Sequence, residues 1–343
     1  MASLRWSAFA SLAGLCLAAP ADAETVLTMS SWAPRSHLLT RIVLEEFADE
    51  VQKASDGRLK FQLSPQHPVA PSATFDAVRS GVVDISIAVT AWTPARHILP
   101  RIAEFPGGGR TAEINSVAYS RLHFSHLRQA GEDAGVHLIG VFTHGPGQVF
   151  TTKRAIERVS DFHGMRIRTG GGTSEAIVRA VGASPIVTTA PQEAHELLSS
   201  GYADGTFFPQ ESFVSFKLDK VVKYATLFPG GLFNYSFELL INEGKWNALS
   251  DENQQVITKS GGEHFARRAG RAWDSADRIG NEALKAAGVQ VELASAELIE
   301  EIQASSQPVI DAWSAEVAEK RGLVGGALLE EFARELKRVG DEM

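Results

Sequence analysis

The sequence predicts an α/β protein of two similar domains, and three observations carry that prediction. Strand and helix patterns alternate with short connections from Thr25 onward, as in a parallel α/β unit. The frames Ser80-Gly81-Val82-Val83-Asp84 and Ser200-Gly201-Tyr202-Ala203-Asp204 match, each lying between a helix and a strand or turn that ends in aromatic residues and proline. Finally, Val256, Phe265, Ala269, Ala272, Trp273, Ala276, Ile279 and Leu284 keep a helical stripe, broken only at Gly261-Gly262, long enough to back both domains as a spine.

Before any of this comes a segment to be set aside. Met1 to Ala23 has a basic start at Arg5, an apolar run from about Ala8 to Ala19, and Ala21-Asp22-Ala23 at its end, which is the pattern of a cleaved secretory signal. The run is shorter than the ~20 apolar residues of a membrane span. Cys16 is the only cysteine of the 343 residues, so the mature chain is expected to lack disulfides, thiolate nucleophiles and cysteine metal sites. Export without cysteine fits a bacterial periplasm, and about 320 mature residues suffice for two domains without covalent staples. A net charge of −8 opposes a nucleic-acid surface, which requires a basic stripe. It does not oppose an anionic ligand, because one arginine sets the field inside a cleft.

Thr25 to Met29 reads as a strand. Leu38, Ile42, Val43, Phe47 and Val51 then fall at helical spacing from about His37 to Ala54, and Asp56-Gly57 turns into the alternating strand Arg58 to Leu63. A helix over about Ser72 to Ser80 leads through the first Ser-Gly frame to an apolar strand, Ile85 to Val89. His137 to Phe142 is a strand, Val149 to Thr152 a crossing segment, and Met165 to Thr169 a strand of alternating basic and apolar residues. Gly170-Gly171-Gly172 follows, with Thr173 or Ser174 placed to cap a helix to about Val181. Pro191 opens another helix, with Thr189 and Gln192 spaced as a capping box. Tyr235 to Ile241 returns the chain to the first domain, Ser250 caps the start of the long helical stretch, and helices near Ala296 to Arg321 and Ala327 to Val339 complete the chain.

Strand, glycine turn and helix start together outline an anion site with a guanidinium, Arg168, beside it. A nucleotide is the wrong anion. The glycines lack the lysine of a P-loop and the later glycine and acid of a dinucleotide fingerprint. No Gly-x-Ser-x-Gly elbow or zinc-protease helix occurs. His123 and His126, at i and i+3, read as two exposed histidines rather than half a metal site, so no metal or cofactor is expected. Asp84 and Asp204, matched in their frames, read as structural turn residues. Trp92, Phe207, Phe208, Phe213 and Phe233 stand near turns after strands, where α/β domains bind ligands.

At this point the sequence resembles the solute receptors of TRAP (tripartite ATP-independent periplasmic) transporters. The resemblance runs from Trp32 and His37 to Trp246-Asn247-Ala248-Leu249-Ser250. Its most specific part joins Thr152-Lys153, Gly164-Met165-Arg166-Ile167-Arg168, Ala180-Val181-Gly182-Ala183-Ser184-Pro185, and Leu197 to Asp204-Gly205 in order. It implies the two-domain periplasmic binding protein fold, with hinge strands and a long spanning helix. The expected division is residues 24–148 with 234–273 as the first domain, 149–233 with 274–321 as the second, and 322–343 as a tail helix. It also implies that Arg168 pairs with a ligand carboxylate, which a planar guanidinium meets with both oxygens.

Two departures from the family bear on the ligand. Many members carry a second arginine where this chain has Gly145-Pro146-Gly147-Gln148, and a polar residue before proline where Phe207-Phe208-Pro209 stands. These changes favour a monocarboxylate with an apolar or aromatic body. Trp32, Trp92, Phe207 and Phe208 are expected to line its site, with His144, Gln148, Gln210 and Glu211 supplying polar contacts. The expected role is a monomeric, non-enzymatic periplasmic receptor that hands an organic acid to integral membrane permease subunits. A receptor informing a membrane sensor kinase, and a periplasmic enzyme, are the alternatives.

Overall fold

Two mixed sheets, built from eleven strands, organise residues 24–343, which are the residues the computed structural model describes; the expected signal segment, residues 1–23, lies outside them. The strands are β1 (Thr25–Ser30), β2 (Leu59–Leu63), β3 (Ile85–Val89), β4 (Val136–Thr143), β5 (Gln148–Thr151), β6 (Arg166–Thr169), β7 (Ser184–Val187), β8 (Gly205–Phe208), β9 (Tyr224–Leu227), β10 (Ser236–Asn242) and β11 (Gln290–Leu293). The first sheet has the order β2-β1-β3-β10-β4 and the second β11-β9-β5-β8-β6-β7. Each is crossed by an antiparallel strand at the point where the chain changes lobe: β10 runs against β3 and β4, and β5 against β8 and β9. No helix among the described residues is long and apolar enough to cross a membrane.

The two Ser-Gly-x-x-Asp frames do the same work in the two lobes. Gly81 and Gly201 take φ of 77° and 70°, the left-handed turn that ends a helix and that glycine adopts without a Cβ penalty. Three residues later each aspartate faces the parallel neighbour of the strand it introduces. Asp84 accepts from the Thr28 N–H at 2.7 Å and from Thr28 Oγ1 at 2.9 Å. Asp204 accepts from the Arg166 N–H at 3.0 Å and from Lys153 Nζ at 2.7 Å. The frames are thus one device used twice, stapling β1 to β3 and β6 to β8.

Crossings between the lobes lie side by side. Gly147 N–H donates to the Phe233 carbonyl at 2.9 Å and Leu232 N–H to the Gly147 carbonyl at 2.8 Å. Side chains have no room here: a Cβ on Gly145 would stand 1.6 Å from Asp277 Oδ2, and one on Gly147 2.3 Å from the Phe233 ring. Behind the crossing runs the helix Gly262–Ala286, whose Phe265, Ala269 and Trp273 join the first lobe's core while Leu284 joins the second's.

The helix Ala296–Arg321 also spans, which departs from its expected place wholly in the second domain. Its Leu298 and Ile302 pack in the second lobe, but Trp313 and Val317 pack in the first, where Trp313 Nε1 donates to the Ile98 carbonyl at 2.7 Å. The tail helix, Gly325–Glu342, adds Leu328, Phe332 and Val339 to that same first-lobe core. Two helix starts differ from expectation as well. The helix Thr173–Ala180 has no side-chain cap, because Thr173 and Ser174 are bonded elsewhere. At Pro191 it is Thr188, not Thr189, whose hydroxyl accepts from the Ala190 N–H, at 3.2 Å. The His123–His126 pair is split: His126 is exposed, but His123 is buried beside Asp133.

The aspartate staple gives a stability prediction. Burial pushes the Asp204 carboxyl up, but its bonds to Arg166 and Lys153 outweigh that and hold it well below the usual carboxylate range. A depressed native value stabilises the fold above the unfolded value of about 3.9 and loses that contribution as pH falls further. Asp204→Asn should therefore destabilise the protein by about 1–3 kcal/mol at neutral pH and by less at pH 3, as measured by denaturant unfolding at the two pH values.

Candidate functional site

Period-two alternation in the second sheet puts a cation and an aromatic ring on one face. Arg168 of β6 pairs with Thr206 of β8, so Arg168, Thr206 and Phe208 point to the same side while Ile167 and Phe207 point to the other. The Arg168 guanidinium lies 4.4 Å from the Phe208 ring centroid, stacked over its face. This side of the sheet meets the first lobe, and a cavity of about 50 Å³ lies between them. The second lobe contributes Arg168, Gly170, Pro191, Phe208, Pro209, Ser212 and Phe216. The first contributes Trp32, His37, Leu39, Val89, Trp92 and Phe237, with His144 and Tyr235 from the crossings and Trp273 from the spanning helix.

Arg168 is the only charged residue in this lining. It is 2% exposed, and its one hydrogen bond runs from Nη2 to the Thr188 carbonyl at 2.9 Å. Nε and Nη1 have no partner among the described residues. Burial pulls its pKa down to about 10, partly opposed by Tyr235 and Glu193, so it remains a cation at neutral pH. An unpaired buried guanidinium is costly, and the group that relieves the cost is an anion with two oxygens.

The other polar groups of the lining are more committed. His144 donates from Nδ1 to the Gly145 carbonyl and accepts the Tyr235 N–H at Nε2, at 3.0 Å. Burial lowers its pKa to about 4, so it is neutral and offers the cavity only a ring. His37 Nδ1 accepts the Leu39 N–H at 3.2 Å, and burial lowers its pKa against the opposing pull of Glu211. Trp32 Nε1 donates to the Ile87 carbonyl at 2.9 Å and its ring meets Trp92 edge-on, centroids 4.9 Å apart. Trp92 Nε1 and Trp273 Nε1 are both buried without a partner among the described residues. The residues of the wall thus include one cation and two indoles whose N–H groups have no partner among the described residues.

The glycine turn itself is not a free anion site. Gly170 N–H donates to the Tyr235 hydroxyl at 2.8 Å, and that hydroxyl also bonds Ser174. At the helix start the Thr173 hydroxyl donates to Glu104 Oε2 at 2.6 Å, a fully buried carboxylate of the first lobe. Glu104 Oε1 accepts from the Ser236 hydroxyl at 2.7 Å and from its N–H at 3.2 Å. Burial raises the Glu104 pKa despite these bonds. The protein's own Glu104 carboxyl therefore sits at the helix end.

Of the sequence-predicted site residues, Arg168, Trp32, Trp92, Phe208 and His144 come together at the cavity, and four do not. Phe207 faces the second lobe's core against Phe162 and Phe233. Gln148 is held away from it, its Oε1 accepting the Phe228 N–H at 2.6 Å and its Nε2 donating to the Pro146 carbonyl at 3.0 Å. Gln210 packs its backbone on Gly280 of the spanning helix, where a Cβ would stand 2.1 Å from the Gln210 carbonyl oxygen. Glu211 lies one layer back, 3.5 Å from His37 Nε2, with its N–H bonded to Asp277 at 2.8 Å. His37, Phe216, Tyr235 and Trp273 line the cavity without having been singled out for it; only the position of Trp273 on the spanning stripe hinted that it lies between the lobes.

His144 yields a pH prediction. A histidine neutral in the fold and protonatable when unfolded lowers stability as pH falls from about 6.5 to about 4. Its share of that loss is about 3 kcal/mol at most. Denaturant midpoints measured from pH 7.5 to 4 should fall less steeply for His144→Gln than for the natural protein.

Residues 29–316 match the family model described as bacterial extracellular solute-binding protein, family 7. A crystal structure of a TRAP periplasmic solute-binding protein from Bordetella bronchiseptica, with bound (R)- and (S)-mandelate, is 39% identical. It superposes with a TM-score of 0.88 over 92% of this chain and 99% of that one. A marine metagenome TRAP solute-binding protein specific for aromatic acid ligands, in complex with 3-hydroxybenzoate, is 28% identical, with a TM-score of 0.86 over 92% of this chain and 99% of that one. Among curated sequences, a Comamonas testosteroni protein named outer membrane transporter protein TsaT is 27% identical over 320 residues, covering 93% of this chain and 94% of its own length.

Proposed function

The chain belongs to the bacterial extracellular solute-binding proteins of family 7, and on that premise we propose that it is the periplasmic TRAP receptor for an aromatic monocarboxylic acid. In this reading Arg168 pairs with the carboxylate and the aromatic wall takes the ring. The observation that carries it is a single buried guanidinium with Nε and Nη1 free inside an otherwise uncharged cavity. One cation neutralises one carboxylate, and His37 and His144, both with lowered pKa, supply no second charge. A dicarboxylate would bury an unpaired anion there. The mandelate and 3-hydroxybenzoate complexes of the two similar receptors agree with this class.

The two free indole N–H groups favour acids that also carry a hydroxyl, which can accept from Trp92 or Trp273. The cavity, at about 50 Å³, holds a few waters but not an aromatic ring, for which a cavity of about 150 Å³ is known to suffice. Ligand entry and seating therefore require the lobes to part about the β4–β5 and Phe233–Ser236 crossings. The role is binding and delivery to membrane permease subunits by a monomer exported with its signal segment removed. Turnover of the acid is not part of the proposal.

Calorimetry with mandelate should show at least a tenfold weaker Kd for Arg168→Ala, or about 1.4 kcal/mol, and Arg168→Lys should not restore the natural value. Equal affinity would make Arg168 structural. In a thermal-shift screen, aromatic monocarboxylates should raise Tm and dicarboxylates should not. A shift with dicarboxylates alone would sink the aromatic reading. Trp92→Phe should weaken mandelate by about 1 kcal/mol more than phenylacetate, the analogue without the hydroxyl.

A further inference from the structure

Strand β10 carries one residue out of keeping with its place. Phe237, Leu239 and Ile241 face one core of the first lobe and Leu240 faces the other, yet between them Glu238 shares the Leu240 face with a fully buried carboxylate. Neither of its oxygens has a hydrogen-bond partner among the described residues. Opposite it stands His97, whose side chain is 0% exposed and whose Nε2, also without a hydrogen bond, is 3.3 Å from Glu238 Oε2. The third member is Asp133, from the turn before β4. One ligand atom each from His97, Asp133 and Glu238 lies within 4.8 Å of the others. His123 abuts Asp133 at 3.3 Å, with both ring nitrogens unbonded. The Tyr119 and Ser120 hydroxyls, on the same helix turn, are buried and unbonded too.

The fully buried Glu238 carboxylate and the partly exposed Asp133 carboxylate are matched either by protons on the carboxyl and imidazole groups or by one dication. Imidazolium–carboxylate hydrogen bonds are aligned and about 2.7–2.9 Å long. These contacts are 3.3 Å, and neither forms an aligned bond. By contrast, ligand atoms about 2.0–2.1 Å from a tetrahedral cation are about 3.3–3.4 Å apart, the separation of the one proposed ligand pair His97 Nε2 and Glu238 Oε2. The orientation of His97 fits the same reading. Its Nδ1 lies 2.6 Å from Thr93 Oγ1, and with Nδ1 as the donor the Nε2 lone pair is turned toward Glu238, in the way outer hydrogen bonds fix metal-binding histidines.

We propose that His97, Asp133 and Glu238 bind one divalent transition-metal cation of the zinc type, with His123 orienting the Asp133 carboxylate. Imidazole nitrogen and carboxylate oxygen are the ligand set such a cation takes. Asp133, whose side chain is 12% exposed, is the side from which it enters. The cation would tie β10, the Thr93–His97 turn and the turn before β4 into one body, so its effect is on the first lobe's stability. This site is separate from the Arg168 cavity and does not depend on what that cavity binds.

The test is metal content and affinity in the full mature protein. After chelator treatment and titration with Zn²⁺, the natural protein should bind one equivalent, resist removal by gel filtration and gain in Tm. Glu238→Gln and Asp133→Asn, which keep side-chain shape, should each lose at least tenfold in Zn²⁺ affinity, whereas Arg168→Ala should bind as the natural protein does. If the natural protein takes up no Zn²⁺, Mn²⁺ or Ni²⁺, the proposal fails and the four groups are two ion pairs. It fails equally if both variants bind metal unchanged, since the ion would then lie elsewhere.

Discussion

Everything at the cleft depends on a guanidinium taken out of water with one hydrogen bond to show for it. Arg168 keeps its charge, and its Nε and Nη1 are buried without a partner among the described residues. Stacking on Phe208 and the bond to Thr188 fix its plane. The wall around it cannot compensate the charge, because the nearby histidines are driven neutral by burial and the indoles can only donate. In the proposed function an anion relieves the cost of this arrangement, which would make the site a receptor for one charge rather than a general polar pocket.

The lobes that present this group are built alike. Asp84 and Asp204 staple equivalent parallel strand pairs, β1 to β3 and β6 to β8, inside their respective sheets. The lobe contact has its own polar lock, Glu104, bonded to Ser236 on its own side and to Thr173 across the cleft. Parting the lobes exposes that carboxylate and breaks the Thr173 bond. Closure therefore has a contribution independent of ligand, and the lock occupies the helix end that an incoming anion would otherwise contest.

Much of this was readable in the sequence, for reasons that show where reading stops. The period-two strands and the doubled Ser-Gly-x-x-Asp frame marked the α/β units because they are local signals. Arg168 stood out because the strand before the glycines alternates basic and apolar residues. The helix Ala112–Leu122 gave no signal: it is buried on nearly every face, so its apolar residues show no period, and its small residues let Gly270 of the spanning helix approach Glu113 closely. Gln148, Gln210 and Glu211 carry polar groups suited to a ligand, but bonds to Phe228, Pro146 and Asp277 and packing on Gly280 placed them elsewhere. Phe207 and Phe208 are indistinguishable by composition, and only strand register turns one to the cleft and the other to the core. The span of Ala296–Arg321 into the first lobe depends on Trp313 meeting Ile98, a contact far apart in sequence.

The same buried cation explains why binding and closure belong together. With the lobes apart, water solvates Arg168 and a carboxylate gains little by displacing it. With the lobes closed, water is excluded, the guanidinium lacks partners, and in the proposed function the same carboxylate would supply two charge-assisted bonds in a low-dielectric wall. A ligand shifts the equilibrium only by its difference in affinity for the two states. Here that difference arises because desolvation penalises the closed form alone and the carboxylate removes the penalty. A neutral aromatic molecule of the same shape would gain the ring contacts yet leave the guanidinium unpaired, and so would favour closure much less. On the proposed function the charge provides the switch, and the aromatic wall decides which acid can operate it.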